Sequence, residues 1–361
     1  MTASPLLHLP GAVAASGIDE GIAWHYGDPI GEQRKADSAA AFIDRSNRGL
    51  ITVSGPDRHD WLNKITSQLL DPFAEGDAVQ ALVLSAQGHV EHHFGVTEVN
   101  EVMYLDTEPG TRDSLLKYLE MMKFWAAVTI EVVPDWGQVS VVGPKALTVL
   151  EGLGITDRVR AQVFGNGLVR PTARGFDVLL PLADLPALAG TLVTVGVAPA
   201  GTWADDALRI IRREPRLGVD TDEKTIPNEV NLLGSAVHLN KGCYRGQETV
   251  ARVNNLGRPP RRLALLNLDG TQDVLPNPGD PVLTAEGRTV GRVGTVAQHH
   301  EDGPIALALI KRTIQPGMPL LAGGVDAQVD PADAVLDSGP ASAGLDRAGF
   351  AAVRRDRTGP H

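Results

Sequence analysis

One cysteine in 361 residues, Cys243, leaves no internal disulfide framework for this chain to rest on. It also leaves too few thiolates for the chain to hold an iron–sulfur cluster by itself. A lone cysteine fits a reducing compartment, and we expect a cytoplasmic protein. No Lys or Arg precedes Arg34, so the N-terminus lacks the basic region of a signal or transit peptide. The longest uncharged run, Leu185 to Trp203, is interrupted by Pro186, Gly190, Gly196, Pro199 and Gly201, and no membrane span is expected. Aromatic residues make up only 4% of the chain, so each of the five tryptophans is expected mostly in a core. A P-loop, an HExxH pair and a GxSxG turn are all absent. Gly152-Leu153-Gly154 has no third glycine at dinucleotide spacing. A net charge of −11 argues against a general nucleic-acid binder.

What the chain does have is an ordinary globular balance, 43% hydrophobic and 21% charged, at a length suited to two or three domains. Its charge is uneven. Between Arg209 and Arg262 eleven Lys/Arg stand against six Asp/Glu, a local +5, so the remainder carries −16. A basic belt on an acidic protein suits a small polyanion, although pairing with local carboxylates absorbs part of it.

The cysteine lies inside this belt, in Lys241-Gly242-Cys243-Tyr244-Arg245-Gly246-Gln247-Glu248-Thr249-Val250-Ala251-Arg252. Glycines on both sides allow close approach of a ligand or partner. A helix opening near Gly246 would place Cys243 just before a helix N-terminus. There the dipole, Lys241 and Arg245 all favour thiolate over thiol. A structural cysteine on a glycine loop is the plainer alternative. On the strand from His89, the residues His89, Glu91 and His93 share one face. Two imidazoles and a carboxylate suit a metal, but the polar face of a half-buried strand explains them as well, and we assign no metal site.

Taken in order, residues 1–30 read as a loosely held, Gly/Ala/Pro-rich arm. A first α+β lobe spans 31–138. It has strands ending at Val53, then Val79–Leu84, Val90–Val96 and Val102–Asp106, with helices marked by Trp61, Leu62, Ile65 and by Leu115, Leu116, Leu119, Met122. A second lobe spans 139–258. It repeats the device of the first: Val53-Ser54-Gly55-Pro56 before a helix is echoed by Val141-Val142-Gly143-Pro144 before Leu147, Leu150 and Leu153. Strand Phe176–Leu180 and helix Leu185–Leu192 continue the parallel, as a duplicated split β-α-β unit. A helix over 203–213 is expected to turn Leu208 and Ile211 inward. From 259 to 325 short strands between Gly/Pro/Asn turns suggest a small barrel. Residues 326–361 read as a disordered tail.

Lys241-Gly242-Cys243-Tyr244-x-Gly246-Gln247-Glu248 resembles the defining motif of the YgfZ-type folate-binding proteins, relatives of the T-protein (aminomethyltransferase) of the glycine cleavage system. The resemblance extends to Gln33-Arg34, Asp44-Arg45-Ser46, Val53-x-Gly55-x-Asp57, Pro215-Arg216-x-Gly218-x-Asp220 and Pro227-Asn228-Glu229, and covers about Trp24 to Ala322. It implies an α+β fold: two ferredoxin-like lobes forming a folate-binding core around a central cavity, plus a small C-terminal β-barrel. It also implies tetrahydrofolate or a derivative as cofactor, and iron–sulfur proteins as clients. On this basis Lys241, Gly242, Tyr244, Arg245, Gly246, Gln247, Glu248, Arg252, Arg216 and Asn228 are the folate-binding candidates, and Cys243 is the catalytic one, with Glu91 a lesser candidate. Two positions depart from the T-protein pattern. Gly88-His89-Val90-Glu91-His92 does not keep its acidic pair, and Arg209-Ile210-Ile211 puts isoleucine where its pterin-binding glutamate stands. The leading expectation is therefore a monomeric folate-dependent accessory factor for iron–sulfur proteins. The alternatives are an aminomethyltransferase using Glu91 and a folate-regulated binding module.

Overall fold

Gly55 and Gly143, the glycines of the two Gly-Pro turns, both adopt left-handed backbone, φ 109° and 111°. A Cβ on Gly55 would stand 2.3 Å from the Ala127 carbonyl oxygen, and one on Gly143 would stand 2.5 Å from that of Ala36. Each turn thus needs glycine for the same two reasons, conformation and backbone approach. The computed structural model describes residues 3–271 and 274–334. They form two compact units, one built from 3–82 and 92–205, the other from 83–91 and 206–334.

The first unit opens with a ribbon of β1 (Val13–Ala14) and β2 (Ala23–His25), helix α1 (Pro29–Ser38) and strand β3 (Ala41–Asp44). Asp28 caps α1 by accepting from the Gly31 amide at 2.9 Å, with Pro29 in the first turn. Next come β4 (Gly49–Ser54), α2 (Arg58–Ile65), β5 (Ala78–Leu84), β6 (Val90–Val99), β7 (Val102–Thr107), α3 (Arg112–Met122) and β8 (Thr129–Val132). The same β-α-β-β-β-α-β succession returns as β9 (Trp136–Val142), α4 (Ala146–Gly152), β10 (Gln162–Phe164), β11 (Gly167–Thr172), β12 (Gly175–Pro181), α5 (Leu185–Thr194) and β13 (Ala198–Ala200). The sheets are ordered β5-β6-β7-β4-β8 and β10-β11-β12-β9-β3-β13. The two orders match except that β3, from ahead of the first repeat, is inserted between β9 and β13. The lobe boundary drawn at 138 is thereby corrected. Residues 41–44 belong to the second sheet, where Phe42 is fully buried opposite Val141.

The expected loose arm is corrected too. Leu6, Ile22 and Ala23 are each about 1% exposed, and Leu6 joins the core formed by Phe42, Phe176, Leu185 and Leu192. Burying one such side chain stabilises by roughly 1.5–3 kcal/mol, enough to hold a Gly/Pro-rich segment in place. Among the tryptophans only Trp61 is buried. Trp24 is 43% exposed and Trp125 is 99% exposed.

Between the lobes of the first unit lies a buried charge network. Arg170 on β11 reaches Asp106 on β7 at 2.5 Å and Asp177 on β12 at 2.9 Å. Arg48 also pairs with Asp106, and Arg45 and Arg174 both pair with Asp205. Although burial favours the neutral acid, Arg170 and Arg48 hold the Asp106 carboxyl well below the usual carboxylate range.

Helix α6 (Thr202–Ile211) leads into the second unit. Ala204, Ala207 and Ile210 form its buried stripe, while Leu208 and Ile211 are only half-buried. The two faces differ by a small rotation that spacing alone does not fix. A 3-10 turn at Pro227–Glu229 and helix α7 (Gln247–Leu256) follow. The unit ends in a closed six-stranded barrel of β14 (Arg261–Leu268), β15 (Pro281–Thr284), β16 (Thr289–His299), β17 (Gly303–Lys311), β18 (Leu320–Ala322) and β19 (Val325–Val329), ordered β14-β17-β16-β15-β18-β19. The fold is α+β: two ferredoxin-like lobes and a C-terminal β-barrel.

The disordered tail expected from 326 is corrected for residues 326–334. Val325, Ala327 and Val329 point into the barrel core, and β19 pairs with both β14 and β18, closing the barrel. Asp333 then pairs with Arg213 at 2.8 Å and accepts from the Leu265 amide. Residues 335–361 of that expected tail lie outside the described residues. Among the described residues no helix is long and apolar enough to cross a membrane.

Candidate functional site

The cysteine loop is seated by glycine against glycine. Gly246 is the N-cap of α7, at φ 82°. A Cβ there would fall 2.5 Å from the Ser85 carbonyl oxygen and 2.9 Å from the Gly88 Cα. Gly88, at φ 83°, answers it: its Cβ would meet Thr249 at 2.9 Å and the Gly246 carbonyl oxygen at 3.2 Å. The turn carrying Gly88 is stiffened by Ser85, whose hydroxyl accepts from the amides of Gln87 and His89. From the same turn the Val90 amide donates to the Thr225 carbonyl at 2.8 Å. Residues 83–91, the tip of the β5–β6 hairpin, are thereby part of the site. The sequence marks a turn at Gln87-Gly88 but gives no sign that it packs on the cysteine motif.

Cys243 is exposed, and so is Gly242, around whose Cα there is open space. The N-cap of α7, Gly246, lies three residues after Cys243, as the motif suggested. The two flanking cations have partners of their own. Arg245 pairs with Glu91 at 3.0 Å, both side chains well exposed. Lys241 is buried at 7% exposure, with its ammonium 5.5 Å from the centre of the Tyr244 ring. Burial pulls the Lys241 pKa down to about 8 and pushes that of Tyr244 up to about 12. Gln247 ties the loop together, its side-chain amide donating to the Lys241 carbonyl at 3.4 Å. Glu248 and Arg252 stand exposed on α7.

Asn228 joins this group from the 3-10 turn, its Nδ2 donating to the Val250 carbonyl of α7 at 3.3 Å. Arg216 sits elsewhere. It is buried, and its amide is held by Asp220, which also binds Arg209 at 2.8 Å and accepts from the Thr295 amide of the barrel. The basic belt is partly neutralised within the second unit. Arg209, Arg212, Arg213, Arg245, Arg261 and Arg262 all pair with carboxylates, Arg261 with both Asp222 and Glu229. These six of the belt's eleven cations are the part that local carboxylates were expected to absorb. What stands exposed in the motif is Gly242, Cys243, Arg245, Glu248 and Arg252.

The His89, Glu91 and His93 face divides: Glu91 turns to Arg245, while His93 contacts Gln80 at 2.9 Å. Among the described residues no group of three His, Cys, Asp or Glu side chains is placed to hold a metal. A recess of about 270 Å³ in the first unit, lined by Leu153, Phe164, Leu180 and Leu188 under an Asn166–Asp184 hydrogen bond, contains none of the nominated residues.

Three buried polar atoms around the cysteine motif lack a hydrogen-bond partner: Asn228 Oδ1, His238 Nδ1 and Asn254 Oδ1. Buried polar atoms are nearly always paired, so such a group fits a ligand that supplies hydrogen bonds. Asn254 and His238 escape a reading of the sequence, because nothing in their neighbours marks them.

Residues 23–241 match the family model for the GCVT N-terminal domain. An aminomethyltransferase of Alcanivorax borkumensis is 28% identical over 246 residues, covering 64% of this chain and 68% of the relative. The tRNA-modifying protein YgfZ of Colwellia psychrerythraea is 24% identical over 278 residues, covering 74% and 84%. The crystal structure of the glycine cleavage system aminomethyltransferase T from Bartonella henselae superposes with a TM-score of 0.79 at 20% identity, over 90% of this chain and 94% of that one. At that identity the match bears on the fold.

Proposed function

The chain belongs to the family of the GCVT N-terminal domain, and from that premise we propose that it is a tetrahydrofolate-binding accessory protein supporting the assembly or repair of iron–sulfur proteins, with Cys243 in thiol chemistry. The observation that carries this reading is the loop itself: an exposed lone thiol beside an open glycine, on a rigid seat of two left-handed glycines. A single thiol suits exchange or transient ligation rather than resident cluster binding. Gly242 offers close backbone approach, while Gly246 serves packing. Arg245 and Arg252 are the exposed cations suited to the carboxylates of a glutamate tail. Lys241, Tyr244, Gln247, Glu248 and Asn228 complete the proposed folate contacts, and Arg216 acts through the Asp220 cluster. The protein is proposed to act as a cytoplasmic monomer on iron–sulfur clients.

A second reading, aminomethyl transfer with Glu91 as the acid, is favoured by relatives that carry the name aminomethyltransferase. Against it, Glu91 is tied to Arg245 and lies on the exposed side of its strand. A third reading has folate as a purely regulatory ligand. Titration calorimetry with tetrahydrofolate, followed by an assay with an aminomethyl donor, separates the second reading from the other two. The proposal expects micromolar binding, about −8 kcal/mol, and no turnover. Binding with turnover abolished in Glu91→Gln supports the transferase. No heat at millimolar ligand removes folate from all three.

A further inference from the structure

Three of the unpartnered buried side-chain atoms of the second unit lie on the elements that frame the cysteine: Asn228 Oδ1 on the Pro227–Glu229 turn, His238 Nδ1 ahead of Lys241, and Asn254 Oδ1 on α7. The orientation of the Asn228 amide is settled by its surroundings. Its one hydrogen bond runs to the Val250 carbonyl, which can only accept, so the nitrogen faces α7 and the oxygen faces away. That oxygen is buried and unpartnered. Val250 lies one helical turn before Asn254, so the two asparagines meet the same stretch of α7. Asn254 also presents a buried, unpartnered oxygen. An acceptor left bare in this way is destabilising, and it is retained where a ligand or an ordered water supplies the missing donor.

We infer that Asn228 and Asn254 are specificity determinants that recognise the donor edge of a reduced pterin, the ring N–H and the adjacent exocyclic amino group, through their side-chain oxygens. This rests on the folate reading above and adds the residues that read the ring. The chemistry is matched in kind: two carbonyl acceptors, on elements joined by the Asn228–Val250 hydrogen bond, for two donors. It also accounts for Ile211. A neutral acceptor pair supplies hydrogen bonds to the pterin without a carboxylate at that position, so its loss there need not abolish recognition.

The test compares wild type, Asn228→Ala and Asn254→Ala in calorimetric titrations with two probes. One is tetrahydrofolate. The other is p-aminobenzoylglutamate, which has the tail but no pterin. Each variant should bind tetrahydrofolate at least tenfold more weakly and bind p-aminobenzoylglutamate as wild type does. Melting temperatures are measured alongside, and Asn254→Ala carries the test should Asn228→Ala fail to fold. Wild-type affinity for tetrahydrofolate in the folded variants overturns the inference and leaves the oxygens to ordered water. Equal weakening toward both probes also overturns it, since the asparagines would then act on the tail or the loop. If wild type itself binds neither probe, the folate reading fails, a different outcome from either of these.

Discussion

Replacing Gly246 by alanine tests whether the motif glycine is a packing position of the loop. Its φ and its backbone neighbours make it one. At φ 82° an L-residue costs about 1–2 kcal/mol. The new Cβ would also stand 2.5 Å from the Ser85 carbonyl oxygen and 2.9 Å from the Gly88 Cα. Both are backbone atoms, so the hairpin turn must move, and overpacking of this kind costs about 1–3 kcal/mol. Together the two effects predict a loss of about 2–5 kcal/mol. Gly242→Ala is the control, because Gly242 has open space at its Cβ and no left-handed backbone. It should change stability by less than about 0.5 kcal/mol. Urea unfolding followed by circular dichroism reads both variants. At about 3 kcal/mol per molar urea, the Gly246→Ala midpoint should fall by about 1 M, while Gly242→Ala stays with wild type. Gly88→Ala should weaken the same contact, so the double variant should cost less than the sum of the singles. Coincident curves for Gly246→Ala and Gly242→Ala would refute the argument.

Removing Arg170 should cost about 3–5 kcal/mol, since Arg170→Leu leaves Asp106 and Asp177 buried with one cation fewer; a midpoint shift below about 0.3 M urea would contradict this. Lys241→Met should stabilise the protein near pH 6.5. The folded pKa of about 8 lies below the ordinary lysine value, so the wild type pays for a buried charge at low pH and regains stability as pH rises from about 8 to 10.5. The difference between Lys241→Met and wild type should therefore shrink over that window, and an unchanged difference at pH 6.5 and 10 would show that Lys241 is not desolvated. Ending the chain at Val325 should unseat the barrel, since it removes β19 and the Asp333 partner of Arg213; a truncated protein that melts with the full chain would overturn the assignment of residues 326–334.

Much of this architecture is legible in the residues. The Gly-Pro turns mark the two repeats because a left-handed glycine followed by a proline with fixed φ stops the strand just ahead of each helix. The strands Val102–Asp106 and Phe176–Leu180 read from their apolar runs, and each proves one residue longer at one or both ends. The insertion of β3 into the second sheet is not local information. Phe42 pairs with Val141, about a hundred positions on, and only tertiary packing selects that partner. Composition misleads at both termini of the described chain. The N-terminal segment looks loose from its Gly and Pro content, yet Leu6 and Ile22 are buried. Val325-Asp326-Ala327-Gln328-Val329 carries a clean alternation of period two, which is the signal of a half-buried strand. Its small and acidic residues outweigh that signal in a composition-based reading. At the site, Cys243 and its helix were readable from the motif. The partners of Arg245 and the bare oxygens of Asn228 and Asn254 depend on where α7 and the hairpin tip meet, which no spacing rule contains.

The most direct test of the central claim is complementation in a strain lacking this gene, scored by the specific activities of its iron–sulfur enzymes. Wild type should restore them. Cys243→Ala should accumulate as folded protein and bind tetrahydrofolate, because one small exposed side chain contributes little to stability, yet leave those activities at the level of the deletion. Full restoration by Cys243→Ala would contradict the assignment of Cys243 to thiol chemistry.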